Sequence, residues 1–216
     1  MLSLVVILLL SYLVGSIPTS ILVSRARGVN IRAHGSGNAG ATNVFRVLGP
    51  KLGVGVMLID LLKGVIAVGL IAQIRIAGEA PPAIFGNFGD GWLMVVAGGA
   101  AVLGHIYTVY AGFKGGKGVA TGAGVAVALA PIPVLVGTIL FAIVVAATRY
   151  VSLGSMIAAA SLPLTQLVRQ WVFGVNIPAP MMWFCAVIPL LILFTHRANI
   201  WRLLHGQESR IGKAEA

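Results

Sequence analysis

The sequence predicts an all-α fold: a polytopic membrane helix bundle of about seven transmembrane helices, N-terminus outside and C-terminus cytoplasmic. Three observations predict it. First, 58% of the 216 residues are hydrophobic, only 9% are charged, and the mean hydropathy is +1.00. A soluble domain carries about 25% charged residues, so this chain cannot cover a water-facing surface. That excludes an ordinary cytosolic globule, a disordered chain and a coiled coil. Second, apolar runs recur along the whole chain, separated by short polar segments. Third, 15 Lys+Arg against 5 Asp+Glu give a net charge of +10, and most of the basic residues fall in alternate loops. Anionic headgroups, anionic substrates or cytoplasmic anchoring each account for such a concentration of charge. A single cysteine, Cys185, excludes an internal disulfide and a Cys-rich metal site. No repeat, low-complexity tract or appended soluble domain is visible, so residues 1–216 read as one membrane domain.

The spans follow in order. Met1 to Ser24 holds no charge, no basic segment precedes its apolar run, and no small-residue cleavage site ends it. It reads as a retained helix and not a leader. The second span runs from Leu52 to about Ile74, interrupted by Asp60 and Lys63, and an acidic loop from Gly78 to Gly91 follows. Trp92 to Tyr110 is the third span. Val119 to Thr148 is charge-free and 30 residues long, whereas one straight span needs about 20. Ala130-Pro131-Ile132-Pro133 stands in its middle, and two nearby prolines break a helix. Two short spans joined by a tight turn are therefore predicted. A sixth span runs from Arg149-Tyr150 to near Arg169, and Met181 to Thr195 is the last.

Charge tests this count. Arg25, Arg27, Arg32, Arg46 and Lys51 lie in the first loop, Lys114 and Lys117 after span three, and Arg149 after span five. Arg197, Arg202, Arg210 and Lys213 lie in the tail. Every odd-numbered span thus ends in basic residues. The positive-inside rule places these loops and the tail on the cytoplasmic side, which requires an odd number of spans.

Three polar segments share that side. The first is Gly35-Ser36-Gly37-Asn38-Ala39-Gly40-Ala41-Thr42-Asn43. It contains G-x-G-x-x-G with Asp60 twenty residues after Gly40, the spacing of a dinucleotide fingerprint. The context refutes that reading, because no strand precedes it and Asp60 lies in a span. Glycines nevertheless let backbone N–H groups converge on anionic oxygens. Ser36, Thr42 and Asn43 add donors, and Arg46 adds a planar charge suited to phosphate. Composition alone fits a flexible membrane-surface loop equally well. The second segment, Phe113-Lys114-Gly115-Gly116-Lys117-Gly118, is not a Walker motif. It is a lysine-bearing glycine loop that opens a helix, a setting that favours phosphate; two anchoring lysines among flexible glycines are the plainer alternative. In the third, His196, Asn199 and Arg202 fall on one helical face, as they also would in a basic amphipathic tail on the membrane surface.

Within the spans, Asp60 and Lys63 are i, i+3 neighbours and read as an ion pair. His105 would line a site or bond a neighbouring helix, and Cys185 reads as a small core residue. Two segments suited to phosphate, without a carboxylate pair, a metal-ligand cluster or a Ser-His-Asp order, suggest a substrate with two phosphate groups and an apolar tail.

The segments GSGNAGATNVFRVLG, IDLLKG, GFKGGKGVAT and HRANIWRLLHGQE resemble the acyl-phosphate-dependent glycerol-3-phosphate acyltransferases of bacteria, small integral membrane enzymes that start phospholipid synthesis. The resemblance spans nearly the whole chain. One departure is His105-Ile106-Tyr107-Thr108, where the family has an aromatic-proline pair after the histidine, so a proline kink there is not implied. The resemblance implies acyl transfer from acyl phosphate to the 1-hydroxyl of glycerol 3-phosphate, giving 1-acylglycerol 3-phosphate and phosphate, in the bacterial inner membrane with the active site on the cytoplasmic side. Membrane lipids are the surroundings; no cofactor, metal or nucleic acid is expected. Other acyltransferases use His-x4-Asp, and five residues beyond His34, His105, His196 and His205 stand Ala39, Tyr110, Trp201 and Arg210.

By resemblance, Ser36 and Arg46 are essential. The backbone from Gly37 through Asn38, Ala39, Gly40, Ala41 and Thr42 to Asn43 forms the acyl-phosphate nest. Gly115, Gly116, Lys117 and Gly118 bind phosphate, His196 and Asn199 serve activity, and Glu208 is structural. Acyl phosphate is already activated, so no covalent enzyme intermediate is needed; the site must hold two polyanions and aim a hydroxyl at the carbonyl. Lys117 and the nest would offset the leaving phosphate, Arg46 the glycerol phosphate, and Ser36 would position. The proton acceptor is His196 or the departing phosphate, with the phosphate preferred. A transporter would share the basic mouth, but it would place polar groups at mid-depth or on both faces. A scaffold leaves the Gly/Ser/Asn clusters unexplained.

Overall fold

A computed structural model describes residues 1–76 and 90–212 of the chain. Most of the expected acidic loop, including Glu79, lies outside the described residues, as does Lys213 of the tail. The described residues form ten α-helices and no β-strand: α1 (Leu2–Ser16), α2 (Thr19–Arg25), α3 (Ala41–Leu48), α4 (Pro50–Gly69), α5 (Asp90–Ile106), α6 (Val119–Leu129), α7 (Pro131–Thr148), α8 (Val151–Trp171), α9 (Ala179–Thr195) and α10 (Arg197–Leu204). Five segments among them are long and apolar enough to cross a membrane: Leu2–Arg25, Pro50–Gln73, Gly91–Ala111, Pro131–Thr148 and Val151–Trp171. The pair α9 and α10, bent by 61°, makes a sixth if counted as one span.

Each of the seven expected apolar segments contains a helix, but α6 falls short of a full span. Its 11 residues rise about 16 Å, roughly half of a hydrocarbon core about 30 Å thick. The break comes where the prolines predicted it. Ala130 leaves the helical region (φ −144°, ψ 64°) and Pro131 opens α7, the position at which a missing N–H costs nothing.

The chain divides into two compact units, Met1–Leu129 and Ala130–Ala216. In the first, helices meet at small residues. Where α1 crosses α5, a Cβ on Gly15 would overlap the Ala101 carbonyl, and one on Gly104 would overlap that of Tyr12. Where α4 crosses α6, Gly64 faces the Thr121 carbonyl and Gly124 that of Leu61 in the same way. Lipid tails supply no hydrophobic drive between helices, so close backbone approach and dispersion hold such crossings. An apolar cluster of Leu4, Ile7, Ile71, Ala72, Leu93 and Ala97 packs beside them.

The first span is broken at Ile17-Pro18, between α1 and α2. The last carbonyls of a helix need partners, and here neighbouring side chains provide them. Lys63 Nζ donates to the Ile17 carbonyl at 2.5 Å, and Thr108 Oγ1 donates to the Ser16 carbonyl. The chain leaves α5 at Tyr107 without a proline; the Tyr12 hydroxyl donates to the Tyr107 carbonyl at 2.6 Å and secures that end.

In the second unit, α7 and α8 are joined through Arg149, which turns the chain with φ +62° while its N–H donates to the Val145 carbonyl. α8 packs against α9. Cys185 is fully buried in α9, as a core residue would be. Pro163 and Pro189 sit inside α8 and α9 without ending them.

Candidate active site

The first polar loop is built around Asn43. This residue is 1% exposed on α3. Its Oδ1 accepts from the Ser36 N–H at 2.9 Å, and its Nδ2 donates to the carbonyls of Ile31 and His34, both at 3.0 Å. The donor expected to face a ligand instead clasps the loop, because a buried amide must be satisfied and the turning backbone offers the nearest partners. Gly35 (φ +55°) and Gly37 (φ +68°) take left-handed conformations on either side of Ser36, which glycine alone adopts without strain. Ser36 is thereby held exposed at the loop tip, while Ala39 and Gly40 are buried. Helix α3 starts behind Gly40 without a side-chain cap, so its first-turn N–H groups are left toward the loop. Arg46, half-buried, lies in the last turn of α3, just before the corner at Gly49 (φ +92°) that leads into α4.

The second loop folds back on α5. The N–H of Gly115 donates to the Ile106 carbonyl at 2.9 Å, and that of Gly116 to the His105 carbonyl at 3.1 Å. Two amides expected to face phosphate therefore secure the loop to its own helix, since a chain reversing direction at a helix end must satisfy both itself and that end. Neither glycine has room for a side chain. A Cβ on Gly115 would overlap the His105 carbonyl, and one on Gly116 would overlap the His105 Nε2. Lys117, half-buried, and Gly118 (φ +83°) then lead directly into α6.

The two loops meet inside the first unit. Arg32 donates from Nη2 to the carbonyls of Ala111, at 3.1 Å, and Lys114. A small cleft is lined by Ala39 of one loop and by Gly115 and Gly116 of the other, with Asp60, His105 and Thr108 behind them. Beside it, an apolar groove over Ile17, Ile21 and Leu22 carries Arg25 and Arg32. The expected Asp60–Lys63 ion pair is present at 2.5 Å. Arg32 carried no local signal beyond its charge; its role needs a partner 79 residues away.

The second unit holds the third segment. His196, 2% exposed, stands at the bend between α9 and α10. Its Nδ1 donates to the Ile192 carbonyl at 2.8 Å, which makes Nε2 the basic nitrogen of the neutral ring. Asn199, 4% exposed, donates from Nδ2 to Glu208 Oε1 at 2.7 Å. Ser152 of α8 donates to the same oxygen at 2.7 Å, and Arg202 Nε donates to Oε2 at 2.8 Å. Burial alone would raise the Glu208 carboxyl, but the hydrogen bonds from Ser152, Asn199 and Arg202, with the Arg202 charge, outweigh it and hold it below its ordinary value. Ser152 was invisible in sequence, being one serine in a helix. Among the described residues, no three His, Cys, Asp or Glu side chains gather as a metal site would require.

Comparison with known proteins agrees with these observations. The profile of a family described as glycerol-3-phosphate acyltransferase matches residues 5–206. A glycerol-3-phosphate acyltransferase of Chlorobium phaeobacteroides is 43% identical, over 98% of this chain and 97% of that protein. One from Chlorobaculum tepidum is 41% identical over the same shares. Crystal structures of PlsY, an integral membrane glycerol 3-phosphate acyltransferase, superimpose with a TM-score of 0.79. The glycerol 3-phosphate form is 38% identical and the lysophosphatidic acid form 40%, each covering 97% of this chain and 96% of that one.

Proposed function

The chain belongs to the glycerol-3-phosphate acyltransferase family of integral membrane proteins, and from that premise we propose that it transfers a fatty acyl group from acyl phosphate to the 1-hydroxyl of glycerol 3-phosphate. The products are 1-acylglycerol 3-phosphate and inorganic phosphate. The observation that carries the reading is the meeting of two glycine-bearing loops in one small cleft of the first unit, with Lys117 next to it and Arg46 on the helix that one loop opens. Such a setting suits the phosphate groups of small anions.

The chemistry needs no enzyme-bound intermediate. The glycerol oxygen attacks the acyl carbon, the bond from that carbon to the bridging phosphate oxygen breaks, and the hydroxyl proton passes to the departing phosphate. Lys117 at the mouth of α6 offsets charge on the leaving group. The first-turn amides of α3, at Ala41 and Thr42, take the acyl phosphate oxygens. Arg46 takes the glycerol phosphate, where a planar fork outdoes a point charge. Ser36 at its loop tip positions the ligand. His196 and Asn199, on the second unit, are assigned to activity by the resemblance alone, and Asn199 is aimed by Glu208. Gly115, Gly116 and Gly118 act through the shape of their loop. The apolar groove with Arg25 and Arg32 suits the acyl tail and its anionic end.

Residues 1–216 act as one domain with seven membrane helices, α6 among them although shorter than a full span, in a bacterial inner membrane with the N-terminus outside and the three polar segments on the cytoplasmic side, in keeping with the distribution of Lys and Arg. Purified protein supplied with acyl phosphate and glycerol 3-phosphate should release inorganic phosphate and form 1-acylglycerol 3-phosphate in equal amounts. Neither product would form if the chain were a carrier.

A further inference from the structure

The acyl-transfer reading uses the loops but leaves the buried polar group behind them without a task. Asp60 is 2% exposed, Lys63 3% and His105 9%, all inside spans. Ionisable groups there are costly, and apolar residues of the same volume would pack as well or better than an ion pair. Their arrangement is directional. Lys63 Nζ holds the Ile17 carbonyl at the break in the first span and Asp60 Oδ1, both at 2.5 Å. The same Oδ1 lies 3.8 Å from His105 Nδ1. The other side of that ring, Nε2, fills the space a Cβ on Gly116 would take, and the His105 carbonyl accepts the Gly116 N–H. Gly116 also lies against the Ala39 carbonyl of the first loop, and the next residue is Lys117.

We propose that His105, packed against the Asp60–Lys63 pair, is a positioning residue that sets the register of the second glycine loop against the first and so places Lys117 for phosphate. The inference rests on the acyl-transfer reading and deepens it. The helix break at Ile17, the ion pair, the imidazole and the loop form one continuous line. A loop of Gly115, Gly116 and Gly118 has no side chains of its own to fix its path, so an external brace must. The ring does this from one side and the backbone hydrogen bonds from the other.

Two sets of variants test it in purified enzyme. D60L/K63M removes both charges together, leaving no uncompensated ion, so the thermal midpoint in detergent should stay within a few degrees of wild type. With the pair that His105 packs against replaced, the KM for at least one of the two phosphate substrates should rise about tenfold while kcat changes less than about threefold. Unchanged KM for both substrates in this folded variant would overturn the proposal. The second set needs no change at the ion pair. G116A should be strongly impaired, because its Cβ strikes the ring. H105N/G116A, in which the shorter side chain vacates that space, should recover at least fivefold in kcat/KM over G116A. Independent, multiplying effects of the two substitutions would overturn the contact as the positioning element. Lys117→Ala separates the two levels: turnover surviving in that variant sinks the acyl-transfer reading itself, whereas its loss alongside normal KM values in D60L/K63M sinks only the brace.

Discussion

The two units each bury a carboxylate beside candidate site residues, and they stabilise it differently. In the first, Asp60 sits inside a span and is matched by a full positive charge on Lys63. In the second, Glu208 lies beyond the last helix and accepts from Ser152, Asn199 and Arg202, the last of which is 33% exposed. The contrast follows from solvent. Hydrocarbon offers a charge no water, so only an opposite charge a few ångströms away offsets its desolvation. Near the headgroups, dipoles and a half-exposed guanidinium suffice. The consequence for function also differs. The first unit keeps its charged pair behind the glycine loops, whereas the second fixes one side chain, Asn199, by hydrogen bonds.

Substitutions sharpen that comparison. The largest effect is expected at Lys117→Ala, where a phosphate dianion loses its counter-charge: turnover should fall by at least about 10³-fold, read as phosphate release. Asp60→Asn comes next. It leaves Lys63 charged and buried with no carboxylate, a loss of about 3–5 kcal/mol, visible as a collapse of the thermal midpoint that D60L/K63M does not share. Glu208→Gln should cost less, about 1.5–3 kcal/mol, because the amide keeps one acceptor but turns an N–H₂ toward a donor. Its activity loss should appear in kcat as Asn199 loses its aim. The acid behaviour of Glu208 has a definite sign. Its carboxyl is held low in the folded chain, so its contribution is present above the ordinary carboxylate range and lost as pH falls through the lowered value. Wild type should therefore lose this part of its stability below about pH 4, and Glu208→Gln should lack that step in a pH series of thermal midpoints. The smallest effect is expected at Ser152→Ala, about 1 kcal/mol, since Glu208 keeps two of its three donors. A larger loss at Ser152 than at Asp60 would reverse the comparison.

Much of the fold was legible because the membrane leaves few options. Backbone groups must be satisfied within each segment, so long apolar runs had to be helices. Pro131 marked the division of the 30-residue run because proline disfavours a helical residue before it and suits the first position of a new helix. The length of α6 was not legible: a polar glycine loop at one end and a proline at the other confine it to 11 residues, and no local signal measures depth. At the site, the segments carrying Ser36, Arg46, Lys117, His196 and Asn199 stood out by composition, but the use of individual groups did not. Asn43 reads in sequence as a ligand donor and is in fact the clasp of its own loop. The amides of Gly115 and Gly116, in a loop whose resemblance implies phosphate binding, secure that loop to α5.

By itself, the sequence determined that this chain is a basic, all-helical membrane protein with three polar segments and the pattern of an acyltransferase family. The first features follow from composition, periodicity and charge, and the family pattern from the resemblance of its motifs; all are properties of the chain before it folds. Only the tertiary structure decided which donors remain for a ligand and which are consumed in holding the loops, and that a lysine and an aspartate inside a span reach a histidine behind Gly116. Hydrogen-bond partners and buried charges are settled by what lies within about 3–4 Å in space, and residues as distant in sequence as Arg32 and Ala111 become neighbours only when the helices pack.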